Sequence, residues 1–330
     1  MKILVLQLKR IGDLILTTPA LAALRQHLPQ ARIVLCVSES GAGLTDAMPF
    51  VDETLILRNR GSNAPVWARL ALGQFDTCLD FTGTDRSAFF TMLSKAPRRV
   101  AFRWVQKSKF RPLFYSEFVD SKVREKHTIE HYLDLLQPLG IREHGTPVTL
   151  KLPDAARERA DRLLKEAGID GPFTVVHPGT ARLEKYWLPE RWAEVIDHCQ
   201  GTLALPCVLT GTREPAEQNH VEAIRAALST PFRDLTGKAD LLTLAAIIER
   251  AHLLLSMDSA PMHLGSAFGT RQVSLFGETN PFHWRPLHDR AVVLLAGRQE
   301  PLQEFSPRFT PQPLRDLSTP AVIAAIASLL

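Results

Sequence analysis

Three stretches of this sequence place chemically competent side chains directly after short apolar runs. Residues 3–8 are one such run and residues 9–13 a loop, after which Leu14, Thr17, Leu21, Leu24 and Leu28 recur at helical spacing. That pattern predicts a strand, a tight turn and a helix beginning at or just after Asp13, with Pro19 in its early turns where it is tolerated. A lone carboxylate at the carboxyl end of a parallel strand stands where open α/β sheets bind ligands, and Gly12 lets the backbone come close to one. Asp13 reads equally as a general base and as a helix cap. The second stretch is HPGTARLEKYW, residues 177–187. Gly179, the Thr180 hydroxyl and free backbone N–H groups suit a phosphate, and Lys185 adds the cation that a pyrophosphate leaving group requires, although an isolated Lys is more often a surface residue. The third is SMDSAPMH, residues 256–263. Here a strand ends in Asp258 and Ser259 begins a helix whose amides and dipole favour an anion, with His263 about one turn in, facing that anion or satisfied in the core. A further loop, TGTREPAE at 210–217, offers carboxylates to ribose hydroxyls.

These stretches need a scaffold that presents them on one sheet edge. Strand patterns over 3–8, 32–37, 54–57 and 76–81 alternate with helical ones over 65–72 and near Ser87, and a helix over 128–136 closes the set. After residues 140–153, which hold two Gly and two Pro and little periodicity, the rhythm restarts. It gives helix 154–167, strand 173–177, helix 190–199, strand 206–210, helices 216–228 and 241–251, strand 252–257, helix 260–268 and strand 272–276. This βαβα order predicts two doubly wound parallel sheets in tandem, domains 1–150 and 151–330, with a cleft between them. No internal repeat is visible. Residues 321–330 form a terminal helix candidate, too short to cross a membrane, that is expected to pack on the protein and to reach back to the first domain.

Composition agrees with that size and class: 330 residues, 45% hydrophobic and 22% charged, call for about two soluble globular domains. No apolar run nears the roughly 18 residues of a membrane span, and the six-residue run at the amino end is too short for a signal-peptide core, so a cytoplasmic protein is expected. Cys36, Cys78, Cys199 and Cys207 lack metal-ligand spacing and read as reduced core residues. Residues 98–126 are different in character. They hold nine Lys or Arg against three Asp or Glu, while the whole chain is only +4, and they interleave Phe102, Trp104, Phe110, Phe114, Tyr115 and Phe118. That composition fits a surface loop touching a membrane interface or a large anionic ligand, or a solvated loop with some buried aromatics. No nucleic-acid motif accompanies it.

G-x-x-x-x-G-K-[ST], G-x-G-x-x-G and D-x-D are all missing from the chain, which argues against a P-loop kinase, the usual dinucleotide site and a metal-binding carboxylate pair. Against that background, LKRIGDLILTTPALAALR, HPGTARLEKYW, TGKADLLTLAAIIERAHLLLSMDSAPMHLGSAFGTRQVSLFG and FHWRP together resemble the family-nine glycosyltransferases, the ADP-heptose:lipopolysaccharide heptosyltransferases, over about residues 1 to 290. DSAPMH and FGETNPFHWRP most resemble the branch that adds a side-branch heptose to the inner core.

The resemblance implies a GT-B fold, two facing Rossmann-like domains with a central cleft, in which 1–150 binds the acceptor and 151–330 the ADP-sugar. It implies an inverting transfer of heptose with Asp13 as general base and Lys185 on the donor phosphates, beside Gly179 and Thr180. Asp258, Ser259, Ala260 and His263 match the D-[ST]-G-x-x-H motif for heptose hydroxyls and pyrophosphate; Ala260, followed by Pro261, stands where most members carry Gly. Ala239 lies where the family contacts adenine. On the acceptor side the implied set is Gly12 with the basic residues Arg103, Lys107, Lys109 and Arg111. Neither a metal nor a cofactor is expected beside the donor substrate ADP-heptose. The expected partners are the lipopolysaccharide inner core and the cytoplasmic membrane surface, with no nucleic acid, for a monomer on the inner face of the inner membrane. Two other readings keep part of this pattern: a GT-B transferase with another sugar nucleotide or acceptor, and a non-catalytic two-domain sugar-binding protein, which would need a signal peptide and no base at Asp13.

Overall fold

In the computed structural model the first strand, β1 (Lys2–Gln7), is buried along almost its whole length, as its unbroken apolar run requires of a central parallel strand. Every residue is described except Thr146, which falls in the stretch read as the linker and lies outside the described residues. The chain divides into two units, Met1–Lys151 and Leu152–Leu330.

In the first unit, β1 pairs in parallel with β2 (Arg32–Ser38) on one side and β4 (Thr77–Asp80) on the other; β3 (Glu53–Leu57), β5 (Arg98–Phe102) and β6 (Glu117–Val119) extend the sheet. The strand order is β3-β2-β1-β4-β5-β6. Its helices are α1 (Ile11–Leu16), α2 (Thr18–His27), α3 (Ala64–Ala71), α4 (Asp85–Leu93) and α5 (Thr128–Asp134). The second unit runs α6 (Asp154–Glu166), β7 (Thr174–His177), α7 (Pro189–Gly201), β8 (Cys207–Leu209), α8 (Pro215–Ala227), β9 (Arg233–Asp234), α9 (Leu241–Arg250), β10 (Leu253–Met257), α10 (Ala260–Phe268), β11 (Gln272–Phe276), α11 (Pro281–Trp284), β12 (Ala291–Leu295) and α12 (Thr319–Ala327). Its order, β12-β11-β10-β7-β8-β9, is the same winding as the first, so one topology occurs twice although the sequence shows no repeat. Each unit is a Rossmann-like parallel sheet, and two such units in tandem are the components of the GT-B fold. Direction reverses beside β1 and β4 in the first unit and beside β7 and β10 in the second, and ligands of open α/β sheets bind at such switch points.

Three expectations change. First, α1 begins at Ile11, not after Asp13, because Arg10 takes the extended dihedrals of an N-cap (φ −71°, ψ 167°). Asp13 is therefore the third residue of the helix and does not cap it. Second, residues 98–126 are not one surface loop: they open with β5 and contain β6, so part of the stretch belongs to the sheet, while 120–126 run on as a mostly exposed segment. Phe102 and Tyr115 are buried, and Trp104, Phe114 and Phe118 pack on Ala88, Ala101 and Val105. The arginines that made β5 look like a loop are neutralised locally, Arg98 by Glu117 (2.8 Å) and the Pro138 carbonyl, Arg99 by the carbonyls of Phe114 and Ala96. Third, the terminal helix α12 lies in the core of the second unit, where Ala321, Val322, Ala325 and Ile326 join the cluster that holds Trp187 and Trp192. The Trp187 indole N–H also donates to the Leu317 carbonyl. All four cysteines are buried and free, and burial pushes the Cys36 thiol up to about 12.

Candidate active site

Asp13 is fixed by chemistry that the sequence did not disclose. Its Oδ1 accepts a hydrogen bond of 2.6 Å from the Tyr132 hydroxyl. Tyr132 comes from α5, is almost wholly buried, and meets Phe81 edge to face at 5.5 Å. Lys9 completes the group: its Nζ is 3.4 Å from the Tyr132 oxygen and 5.3 Å from the ring centroid. Ammonium and phenol thus form a chain of donors that ends on the Asp13 carboxylate. Burial, then the Asp13 charge, drives the Tyr132 phenol far above its ordinary pKa, so it stays a donor; burial lowers the Lys9 ammonium while Asp13 and Asp80 oppose that shift. The backbone at Asp13 is held too. Thr17 Oγ1 donates to the Asp13 carbonyl (2.8 Å) and accepts from Gln7 Nε2 (2.8 Å). Gly12, just before it, sits half-buried in the first turn of α1.

Across the switch point, Asp80 ends β4 in full burial. Its carboxylate accepts from the amides of Thr82 (2.8 Å) and Gly83 (3.0 Å) and from the Tyr115 hydroxyl (2.6 Å). Burial raises the Asp80 pKa against these hydrogen bonds. This web anchors the middle of the basic stretch, and Arg111 reinforces it by donating to Asp85 (2.6 Å) and the Gly83 carbonyl. Arg111 is accordingly committed within the fold, whereas Arg103, Lys107 and Lys109 project into solvent.

In the second unit the loops after β7 and β10 meet. Lys185 Nζ lies 2.5 Å from Asp258 Oδ2, and these side chains are 12% and 11% exposed. The Thr279 hydroxyl donates to the same oxygen. Lys185 is therefore no stray surface cation, and Asp258 already receives two of the donors that its position can gather. Ser259 is the N-cap residue of α10, yet its hydroxyl turns back to the Met257 carbonyl and leaves the first turn of the helix uncapped by a side chain. Ala260 and Pro261 open that helix, and Pro261 supplies no N–H. His263 is buried one turn in. Gly265 must be small, since a Cβ there would come within 2.7 Å of Leu254.

Beside Gly179 and Thr180 stands Glu217, from the first turn of α8. It accepts from the amide and hydroxyl of Thr212 (2.6 and 2.8 Å). A Cβ on Gly179 would lie 2.6 Å from its carboxyl carbon, which is why glycine is needed there. His177, bonded to Thr210 Oγ1 at 3.0 Å, is driven by burial down to about 4, with Glu217 opposing. Ala239 is half-buried, between Gly237, whose positive φ of 71° brings its carbonyl to Arg213 Nε, and Asp240, which caps α9. Among the described residues, no group of three or more His, Cys, Asp or Glu side chains is gathered as for a metal ion.

Asp13 thus lies at the switch point of one sheet, and Gly179, Thr180, Lys185, Asp258, Ser259, Ala260 and His263 around that of the other. Sequence reading missed Tyr132, Lys9 and Thr279. Tyr132 sits in a short helix in which every residue but Glu130 is buried, so nothing local separates it from a core aromatic.

The chain is similar to known glycosyltransferases in sequence and in fold. Residues 64–310 match the sequence profile of glycosyltransferase family 9 (heptosyltransferase). Lipopolysaccharide heptosyltransferase 3 of Escherichia coli (strain K12) is 25% identical over 299 residues, covering 88% of this chain and 86% of that protein. The crystal structure of a family 9 glycosyl transferase from Veillonella parvula DSM 2008 is 26% identical, with a TM-score of 0.85 over 99% of this chain and 96% of the other. E. coli heptosyltransferase WaaC, solved with ADP, shares the fold at 19% identity, with a TM-score of 0.76 and full coverage of both chains.

Proposed function

Because the chain belongs to glycosyltransferase family 9, the heptosyltransferases, we propose that it moves a heptose from ADP-L-glycero-β-D-manno-heptose to the inner core of lipopolysaccharide by a single inverting displacement. The observation that carries the reading is the Asp13 carboxylate, placed at the switch point and oriented by Tyr132. A sugar hydroxyl is a poor nucleophile. As its oxygen bonds to the anomeric carbon, Asp13 takes the proton, a contribution typically of about 10² to 10⁴-fold. The bond from that carbon to the diphosphate breaks, and its electron pair leaves with ADP.

Lys185 and the amides opening α10 meet the charge that develops on the leaving diphosphate; a preorganised donor of this kind is worth roughly 3 kcal/mol. For that, the diphosphate draws Lys185 from Asp258, and the freed carboxylate accepts from heptose hydroxyls. Gly179 and Thr180 border the phosphates, Glu217 accepts from the ribose hydroxyls, and Ala239 borders adenine. No metal takes part in this scheme. On the acceptor side, Arg103, Lys107 and Lys109 attract the core's carboxylates and phosphates, and the protein works at the cytoplasmic face of the membrane as a monomer.

A donor screen with purified protein and truncated core acceptors tests the reading. ADP-heptose should be used, UDP- and GDP-sugars should not, and EDTA should leave the rate unchanged. Transfer from a UDP-sugar alone would favour a different GT-B transferase; loss of activity in EDTA with recovery in Mg²⁺ would contradict the metal-free scheme.

A further inference from the structure

The first unit gathers its exposed aromatics, with Met92 and Leu113, on one region of its surface, while Met1, Leu72 and Val123 are exposed apart from that set. Trp67 on α3 and Phe89 on α4 meet edge to face with ring centroids 6.3 Å apart, and they are 47% and 42% exposed. Met92, one turn beyond Phe89 on the same helical face, is 43% exposed. The 3₁₀ turn Arg111–Phe114 packs against α4 and also against the turn Arg103–Lys107, and it leaves Leu113 and the neighbouring Phe110 largely in solvent. Large exposed apolar residues of the second unit, such as Leu183, Leu188, Leu287 and Leu330, include no aromatic among the described residues.

Cations surround this region. Arg86 lies one turn before Phe89, its guanidinium 6.0 Å from the Phe90 ring, and Lys95 follows the end of α4. Arg103, Lys107 and Lys109 project from the adjoining turns, while the nearby acid, Asp85, is taken up by Arg111. The unit as a whole holds 21 Lys and Arg against 14 Asp and Glu, and the second unit 18 against 21.

We infer that the outer face of α3 and α4, with the Arg111–Phe114 turn, docks the protein on an anionic phospholipid surface. Trp67, Phe89, Met92 and Leu113 enter the headgroup boundary, where an aromatic ring with an apolar partner is well placed, and Arg86 and Lys95 lie among the phosphates. A second copy of the chain fits less well, because a two-fold contact through this face would set its cations against one another. The basic stretch contributes here through charge and through Leu113 and Phe110, since its other aromatics are buried or packed half-buried against the core. The inference stands apart from the chemistry at Asp13 and is tested without substrate.

The experiment is flotation of the full chain with vesicles of phosphatidylcholine alone and of phosphatidylcholine mixed with phosphatidylglycerol. Binding is expected to the mixed vesicles only, and to weaken as salt is raised. The combined variant Trp67→Ser, Phe89→Ser, Met92→Ser should lower partitioning roughly a hundredfold, the effect of withholding the exposed half of three large side chains. Arg86→Gln and Lys95→Gln should each lower it roughly fivefold, and these exposed substitutions keep the test decisive if the serine variant melts early. Equal binding to both vesicle types, no binding by the wild type, or full binding by the variants would overturn the inference. So would a concentration-dependent dimer that the serine variant loses while neither protein floats. A protein that floats as expected yet transfers no heptose would uphold docking and overturn the functional reading instead.

Discussion

Asp13 and Tyr132 are 119 residues apart in the chain and 2.6 Å apart in space, and the second fact decides how the first residue can work. A carboxylate on a six-residue helix could turn in several directions; a buried phenol bonded to one of its oxygens leaves the other for an acceptor hydroxyl. Replacing Tyr132 with Phe keeps the ring against Phe81 and removes only that hydrogen bond. Since a hydrogen bond to a charged group is worth about 1.5 to 3 kcal/mol, Tyr132→Phe should lower kcat by roughly ten- to a hundredfold, with the KM values of donor and acceptor within about twofold. Steady-state kinetics on both substrates check this, and a change confined to acceptor KM would make Tyr132 a binding residue. The position of Asp13 at the end of β1 was legible from local pattern. Its partner was not, because periodicity reports burial and not which buried side chain faces a carboxylate.

Among the elements, the central strands were the most legible. β1, β10 and β11 are short, mostly apolar runs buried along nearly their whole length, and the bounds of β11 and α10 were read correctly. The edge strand β3 was also read, but two other edge strands were not: β6 has three residues and β9 two, too few for any period to show; in the interior of the first sheet, the two arginines opening β5 hid a strand whose last three residues are buried. Burial at the sheet edge in the second unit also sets a pH dependence. His177 and His220 are both lowered by burial to about 4, from 6.5. Above about pH 6.5 both are neutral folded or unfolded and their contribution is complete; between about 6.5 and 4 the unfolded chain binds protons that the fold refuses, so stability falls as pH falls. The thermal midpoint should therefore drop across that window. His131, His252 and His288 are lowered by burial as well, so His177→Asn, which removes one group of several, should flatten the drop in part, and an equal slope in the variant would show that His177 is not among its causes.

At the scale of the whole molecule, function divides by unit in the proposed scheme, with acceptor-facing charge in Met1–Lys151 and donor-facing loops in Leu152–Leu330. Neutralising Arg103, Lys107 and Lys109 together should raise the acceptor KM several-fold, flatten its salt dependence and leave the donor KM unchanged. Lys185→Ala should do the reverse, weakening donor binding and slowing transfer. It should also cost about 3 kcal/mol of stability, because Asp258 would be left charged and nearly buried without its partner. Kinetics and melting of the two variants check the separation; a shared loss of donor affinity would place the basic residues wrongly. The tandem pair of doubly wound sheets was legible in the restarting rhythm; the strand order was not, since the two halves share it without sharing a recognisable sequence.

The central claim is that Asp13 removes the proton of the acceptor, and the most direct measurement is single-turnover heptose transfer by Asp13→Ala beside its affinity for ADP. Transfer should fall by about 10² to 10⁴-fold while ADP binds within a few-fold of the wild type, because the base touches the acceptor and not the nucleotide. Comparable turnover by the variant would contradict the account.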